Sequence, residues 1–467
     1  MKTFKVIYII LFFAIIAFPL VGLIWYEEPE VTENKVLAEM PSIVNEDKLN
    51  VRYLSELADY FSDHFAYRQE LVTANAIFKS KIFKESSEQL AIVGDSGWLF
   101  LSVSLKDYQG IDTATDRGIN NIAKTISLMQ EYVESIGGEF VFACAPNKNT
   151  LYPEYMPYYY SVINDDNNLD KLTPVLYESG VNYADLKQMF EEQDSVLYHK
   201  GDSHWNNLGA AMVQDTILDI AGVEHTDFTV LDYKIVHDFE GDIDKILYPL
   251  DRHCEDEYDY SEYMTYSYVD ESDVTANKIE TVNSGKDKKL LCYRDSFGNS
   301  LLPFLADEFG YAYFSKSIPY RLDYMSSWDM DVCVIELVER NLSNLQKFAP
   351  IMPAPLRNVD TECVSVESDI TTIAKSDYDG YYKLSGRVDS QYVSDTSYIY
   401  LRLTSNDAVY TIEASPVDES DMSEVASDYG FVAYIHSVAL PLGEYSVEII
   451  TENGEVYSQM TDMVIVF

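Results

Sequence analysis

Apolar positions follow one rhythm at the start of the chain, a second through its middle and a third near its end. Val6 to Tyr26 is a nearly unbroken apolar run without a charged residue. About 20 such residues span a bilayer. Lys2 and Lys5 precede the run, and Glu27 and Glu28 follow it, which predicts an inside N-terminus and an external body. Residues 1–26 are expected to form a transmembrane signal anchor of a single-pass cell-membrane protein. A cleaved signal peptide is the alternative. Residues 27–50 read as a polar stem.

From 51 to 349, helical spacing alternates with short apolar runs. Tyr53–Phe83 repeats apolar residues at Leu54, Leu57, Phe61 and Phe65, and Asn121–Ile136 is amphipathic. Between them, Asp95-Ser96-Gly97 is turn chemistry joining two short strands. Phe140–Ala145, Leu290–Tyr293, Tyr311–Phe314 and Asp331–Leu337 read as buried strands. This alternation predicts a parallel α/β sheet with helices on both faces. The acidic, Tyr-rich stretch 251–286 reads as a surface excursion. Residues 350–364 begin with three prolines and read as a linker. From 365 to 467 only short alternating runs and turns remain, which predicts a small all-β sandwich.

Candidate chemistry sits where runs end. Asp202-Ser203-His204 places a carboxylate beside an imidazole, with Trp205 behind. The carboxylate can accept the Nδ1 proton and make His204 a general base. The alternative reading is a capped helix start before Asn206–Ile220. Ser296 follows the Leu290–Tyr293 run in Arg294-Asp295-Ser296-Phe297-Gly298, and a helical pattern comes next. A serine on a strand-to-helix turn is a nucleophile mount, and it is equally a helix cap. Together Ser296, His204 and Asp202 complete a Ser-His-Asp inventory. Asn147 and Lys148 follow Phe140–Ala145, at the strand end where α/β sheets bind ligands. With Trp205, Arg294 and Arg340 they form the candidate oxyanion and substrate-binding set. Arg340 can orient a carbonyl or pair with Glu336. Trp98 and Phe100 can stack on a sugar or pack the hairpin. A metallohydrolase built on His64, His199, Asp202 and His204 lacks usual ligand spacing.

Composition narrows the partners. A net charge of −45 over 467 residues repels nucleic acid and anionic lipid and, short of a local basic patch, disfavours a polyanionic substrate, so neutral or cationic glycans fit better. The five cysteines cannot pair completely, and nothing resembles a zinc spacing. No metal or cofactor is called for.

Several stretches resemble the DHHW and AlgX–AlgJ-like branch of the SGNH hydrolase superfamily. They are F-S-D-H-F-A-Y-R (Phe61–Arg68), G-D-S-G-W-L-F (Gly94–Phe100), A-P-N-K-N-T-L-Y-P (Ala145–Pro153), G-D-S-H-W (Gly201–Trp205), G-D-I (Gly241–Ile243), R-D-S-F-G (Arg294–Gly298) and V-E-R-N-L (Val338–Leu342). The serine block follows the Asp-x-His block, the permuted order of that branch. The resemblance implies triad roles for Asp202, His204 and Ser296, and O-acetylation of a polysaccharide outside the cell. It also implies an integral-membrane acyltransferase partner that supplies acetyl groups. A carbohydrate acetylesterase, or an inactive glycan-binding scaffold, are the other readings.

Overall fold

The structure, a computed structural model, describes residues 2–22, 38–45, 48–111, 113–359, 362–418 and 428–466. Parts of the expected anchor and stem therefore lie outside the described residues. A seven-stranded sheet organises the middle of the chain. Its order is Tyr183–Ala184, Glu139–Ala145, Val332–Val338, Lys289–Tyr293, Tyr311–Ser315, Lys278–Val282 and Ser267–Tyr268. The first five strands run parallel, as expected. The last two are antiparallel, and both come from the stretch read as a surface excursion. The acidic residues had hidden two short strands, one of which buries Ile279 and Thr281 on alternate positions.

Side chains alternate across the sheet, so each strand feeds two cores. Val141, Leu290, Cys292 and Val334 pack under helices Asn207–Ile220 and Gly298–Glu308. Phe140, Phe142, Leu291 and Ile335 pack under helices Asp116–Ser135 and Asn168–Glu178. Every residue of Val332–Val338 is buried, which fixes that strand in the centre. Truncating a side chain such as Phe142 to Ala costs about 3–5 kcal/mol in so closed a core.

Two antiparallel-rich sheets of five and four strands follow, facing each other across Leu384, Leu401, Phe431, Val447 and Ile449. They form the expected β-rich region. It is clamped to helix Asp116–Ser135. Buried Arg117 donates from Nε to the Asp428 carbonyl at 2.8 Å. Arg357 bridges Glu131 and Glu413 at 2.6 and 2.7 Å. Within the stretch read as a linker, Ile351 and Met352 are buried, and the Ala354 N–H donates to the Tyr434 carbonyl. The seam is packed rather than loose.

Helix Lys2–Gly22 exposes its apolar side chains from Phe4 to Phe18. Among the described residues no helix is long and apolar enough to cross a membrane, so the expected transmembrane helix is not found in the described fold. Its far end touches the body, where Phe18 stacks on Tyr67 with ring centroids 4.6 Å apart.

Candidate active site

The strand Lys289–Tyr293 carries its last ladder contact to Arg294, whose N–H donates to the Ser315 carbonyl. The chain then turns sharply. Asp295 fixes that turn. Its Oδ1 accepts the Phe297 N–H at 2.9 Å, and its Oδ2 accepts the Val338 N–H at 2.8 Å and Asn341 Nδ2 at 2.9 Å. Gly298 is required because a Cβ there meets the Arg294 side chain at 2.6 Å. Ser296 is thereby held at the carboxyl end of the central strands and opens into a cleft of ≈ 600 Å³. His204, Asp242, Asn299, Phe239 and Val274 share its walls.

His204 arrives from a loop that other carboxylates hold. The Lys200 and Gly201 N–H groups donate to Glu255 at 2.7 and 2.6 Å. Glu257 accepts the Asn207 N–H at 2.9 Å and meets His199 Nε2 at 3.0 Å. Lys148 reaches the same loop from within, donating to the carbonyls of Leu99, Lys200 and Asp202 at 2.7, 2.6 and 2.8 Å. Gly241 lets a second loop close in, since a Cβ there would lie 2.2 Å from the Gly201 carbonyl. That approach brings the Asp242 N–H to Asp202 Oδ2 at 2.7 Å and the Asp242 carboxylate to Ser203.

The result is one hydrogen-bonded chain. Asp202 Oδ1 lies 2.6 Å from His204 Nδ1, and His204 Nε2 lies 2.9 Å from Ser296 Oγ. The Asp202 contact assigns the proton to Nδ1 and leaves Nε2 to accept from the hydroxyl. Burial opposes charge on His204. The charge and hydrogen bond of Asp202, joined by Asp242, outweigh burial and raise the imidazole above its ordinary range, while Arg340 works against them. Burial likewise opposes charge on Asp202, but His204 and two backbone N–H groups hold its carboxyl well below the usual range. Asp242 is pushed upward, first by burial and then by the neighbouring Asp202 charge. A base so arranged can take a proton from a hydroxyl and return it to a leaving group.

The remaining expected site residues scatter in their roles. Arg294 is buried and braces the cleft wall from behind, donating to the carbonyls of Val274 and Ala276 and to Asn299 Oδ1. Lys148 is buried with its three donors spent on carbonyls, so it positions the loop and offers no donor to an oxyanion. Its burial pushes the ammonium down to about 7. Trp205 is 1% exposed and packs edge-on to Phe297, behind His204 rather than open to a sugar. Asn147 is buried, with Nδ2 toward Asp107 and Oδ1 accepting from Arg340 Nη1 at 3.2 Å. Arg340 turns to Asn147 rather than to Glu336, and its guanidinium lies 5.6 Å above the Phe297 ring that also packs on His204. Trp98 and Phe100 are buried and pack the hairpin. His64 bonds the Ala38 carbonyl and His199 bonds Glu257, so neither joins Asp202 and His204 around a common point. Among the described residues, donors of Asp202, His204 and Asp242 do lie within 4.8 Å of one another. Those of Asp202 and His204 are engaged in the chain to Ser296, and the Asp242 carboxylate accepts from Ser203 and the Ile243 N–H.

Glu255 and Glu257 are what sequence reading missed. Their two-residue spacing puts both on one side of the strand Cys254–Asp259. That alternation was the available signal, masked by the surrounding acidic residues.

An α/β sheet that carries Ser296 on a strand-to-helix turn, with an Asp-x-His loop beside it, is an arrangement suited to serine-based acyl chemistry. Residues 91–276 match the family model described as SGNH hydrolase-like domain, acetyltransferase AlgX. The chain thus resembles the DHHW and AlgX–AlgJ-like branch, and the matched span holds Asp202 and His204 and ends before Ser296. Among solved structures it is similar to a DHHW family protein from Eubacterium siraeum, at 16% identity and TM-score 0.41, over 54% of this chain and 95% of that one. Bacillus cereus PatB1 with a sulfonyl adduct is 16% identical at TM-score 0.42, over 53% and 96%. Pseudomonas aeruginosa AlgX is 12% identical at TM-score 0.36, over 82% and 98%. No curated protein matches the chain.

Proposed function

We propose that this chain transfers acetyl groups to hydroxyls of a cell-envelope or exported polysaccharide, through an acetyl-Ser296 intermediate. The observation that carries the reading is the chain Asp202–His204–Ser296 opening into a cleft. His204 Nε2 takes the Oγ proton as Oγ forms its bond to the acetyl carbonyl carbon. The carbonyl electron pair moves onto oxygen. The backbone N–H of Ser296 is the donor to the developing oxyanion in this reading, since the Phe297 and Asn299 N–H groups are bonded to Asp295 and to the Ser296 carbonyl; one such donor contributes about 3 kcal/mol. The tetrahedral carbon then expels the donor's alcohol, which leaves with the proton from His204. A sugar hydroxyl gives its proton to the same Nε2 and attacks the acetyl-serine. Collapse releases the acetylated sugar and restores Ser296.

Water in place of the sugar makes the same site an acetylesterase. Glu240, Asp242 and Glu257 line the cleft against a single Lys245, which supports a neutral or cationic glycan over a polyanion. The apolar exposed surface of helix Lys2–Gly22 supports attachment to the outer face of a membrane, where an integral-membrane acyltransferase would supply acetyl groups. Incubation with a chromogenic acetyl ester tests the chemistry. The expected result is slow cleavage and one acetyl group on the peptide holding Ser296 by mass spectrometry. Equal cleavage by wild type and Ser296→Ala overturns it. Adding oligosaccharide acceptors separates transfer from hydrolysis.

A further inference from the structure

Charge along this chain is overwhelmingly negative, with 78 Asp and Glu against 33 Lys and Arg. One helix departs from that balance. Leu71 to Lys84 contains no acidic residue and ends in Phe-Lys-Ser-Lys-Ile-Phe-Lys. Helix Arg68–Phe78 continues through the wider turn Lys79–Phe83 and stops at Lys84, whose backbone is left-handed at φ 58°. Thr73, Ala76 and Ser80 face inward and are buried. Phe78, Ile82 and Phe83 face outward, 53%, 62% and 57% exposed, and Lys81 and Lys84 are exposed beside them. Exposed apolar side chains flanked by exposed lysines are the composition of a helix that lies in a membrane interface. Scattered exposed apolar residues are ordinary, but a contiguous set beside basic ones marks a contact surface.

The position of this face supplies a second argument. The N-terminal end of the same helix begins at Tyr67-Arg68, and Tyr67 stacks on Phe18 of the apolar helix Lys2–Gly22. Gly22 sits against Ala66 and Tyr67, where a Cβ would lie 2.7 Å from each. The helix that bears the lysines at its far end is thus joined at its start to the chain's most apolar helix. Glu85, exposed, closes the acid-free stretch.

We propose that Phe78–Lys84 rests on the headgroups of an anionic bilayer, with Phe78, Ile82 and Phe83 dipping among them. This deepens the reading that helix Lys2–Gly22 attaches the chain to a membrane. It adds that the body is seated at one fixed orientation rather than swinging on a stem. Each basic side chain near an anionic surface contributes about a fivefold gain in binding, screened by salt. The face also abuts the back of the His204 loop, since Ser80, Lys81 and Lys84 share a hollow with Lys200 and Gly201.

The test uses the full chain mixed with vesicles of phosphatidylcholine alone or with phosphatidylglycerol. Flotation reports attachment, and amide hydrogen exchange reports the seating of 78–84. The expected result is flotation with both vesicles, and exchange at 78–84 slowed by about tenfold or more on the anionic ones only. Raised salt or K81E/K84E should remove that protection while cleavage of a soluble acetyl ester is unchanged. Flotation without slowed exchange overturns the seating and leaves attachment standing. Equal protection on neutral vesicles also overturns it, since the lysines then select nothing. Protection found only in membranes containing other proteins overturns it in favour of a protein partner. No flotation with either vesicle removes both readings.

Discussion

The two halves of the site are held in opposite ways. The Ser296 turn is fastened from beneath by the sheet. Asp295 ties it to Val338 and Asn341, and Arg294 is buried against the Val274 and Ala276 carbonyls. The His204 loop is held by charged side chains, Glu255 and Glu257 of a hairpin strand, Asp242 of a neighbouring segment and Lys148 from within. One anchor is part of the sheet core and the other is a set of charged side-chain clamps, Glu257 and Lys148 among them buried. The difference teaches that the serine's position is fixed by folding itself, whereas the imidazole's position and charge are adjusted locally. Substitutions on the His204 side can therefore break the chemistry without breaking the fold, whereas removing a holder of the Ser296 turn such as Asp295 costs both.

The largest effect falls on the reacting groups. Ser296→Ala should lower acetyl-ester cleavage by on the order of 10⁴-fold or more, with unfolding by urea unchanged. Next comes Asp202→Asn. It removes the group that fixes the His204 tautomer, and cleavage should fall by on the order of 10²–10⁴-fold. The pH dependence gives the sign. In the proposed reaction neutral His204 is the base, so activity should rise with pH through its raised folded-state pKa. The same raised pKa stabilises the fold fully below the unfolded imidazole value, and this contribution is lost as pH rises through the folded one. NMR titration of His204 in Ser296→Ala should place its pKa above the ordinary imidazole range. Adding Asp202→Asn should move it down. An unshifted titration would break the claim that Asp202 and Asp242 set the charge.

On the turn side, Asp295→Ala leaves the Val338 and Phe297 N–H groups and Asn341 Nδ2 without their acceptor. Unfolding by urea should show a loss of about 2–4 kcal/mol, with activity falling in step. Loss of activity at full stability would show that the turn is not core-fastened after all.

Much of this was legible beforehand. The buried runs Phe140–Ala145, Leu290–Tyr293 and Asp331–Leu337 announced the parallel strands because a doubly covered strand must be apolar throughout. Asp202, His204 and Ser296 stood out because each ends such a run or lies in a tight loop. Arg294 and Lys148 misled because their residue type suggests donors to substrate. Nothing local reveals that both are buried and donate to backbone carbonyls that the fold brings in from residues 99, 200 and 274. The strands at 254–259 and 278–282 were lost among acidic and tyrosine residues, where charge overrode the two-residue period. Glu255 and Glu257 look like surface residues until the loop they clamp is folded against them.

The smallest predicted effect tests those clamps. Glu257 accepts the Asn207 and Tyr258 N–H groups on Oε1 and meets His199 on Oε2. In Glu257→Gln the carbonyl oxygen keeps the first two contacts. The amide can donate to His199 Nε2 once that ring carries its proton on Nδ1. One charge is lost from the wall of the cleft, and the loop keeps Glu255 and Lys148. Stability should drop by less than about 1.5 kcal/mol, and ester cleavage by less than about tenfold. Cleavage measured beside Asp202→Asn decides the matter. If Glu257→Gln loses as much as Asp202→Asn, the clamp is not a redundant holder, and the His204 loop depends on one carboxylate as strictly as the Ser296 turn depends on Asp295.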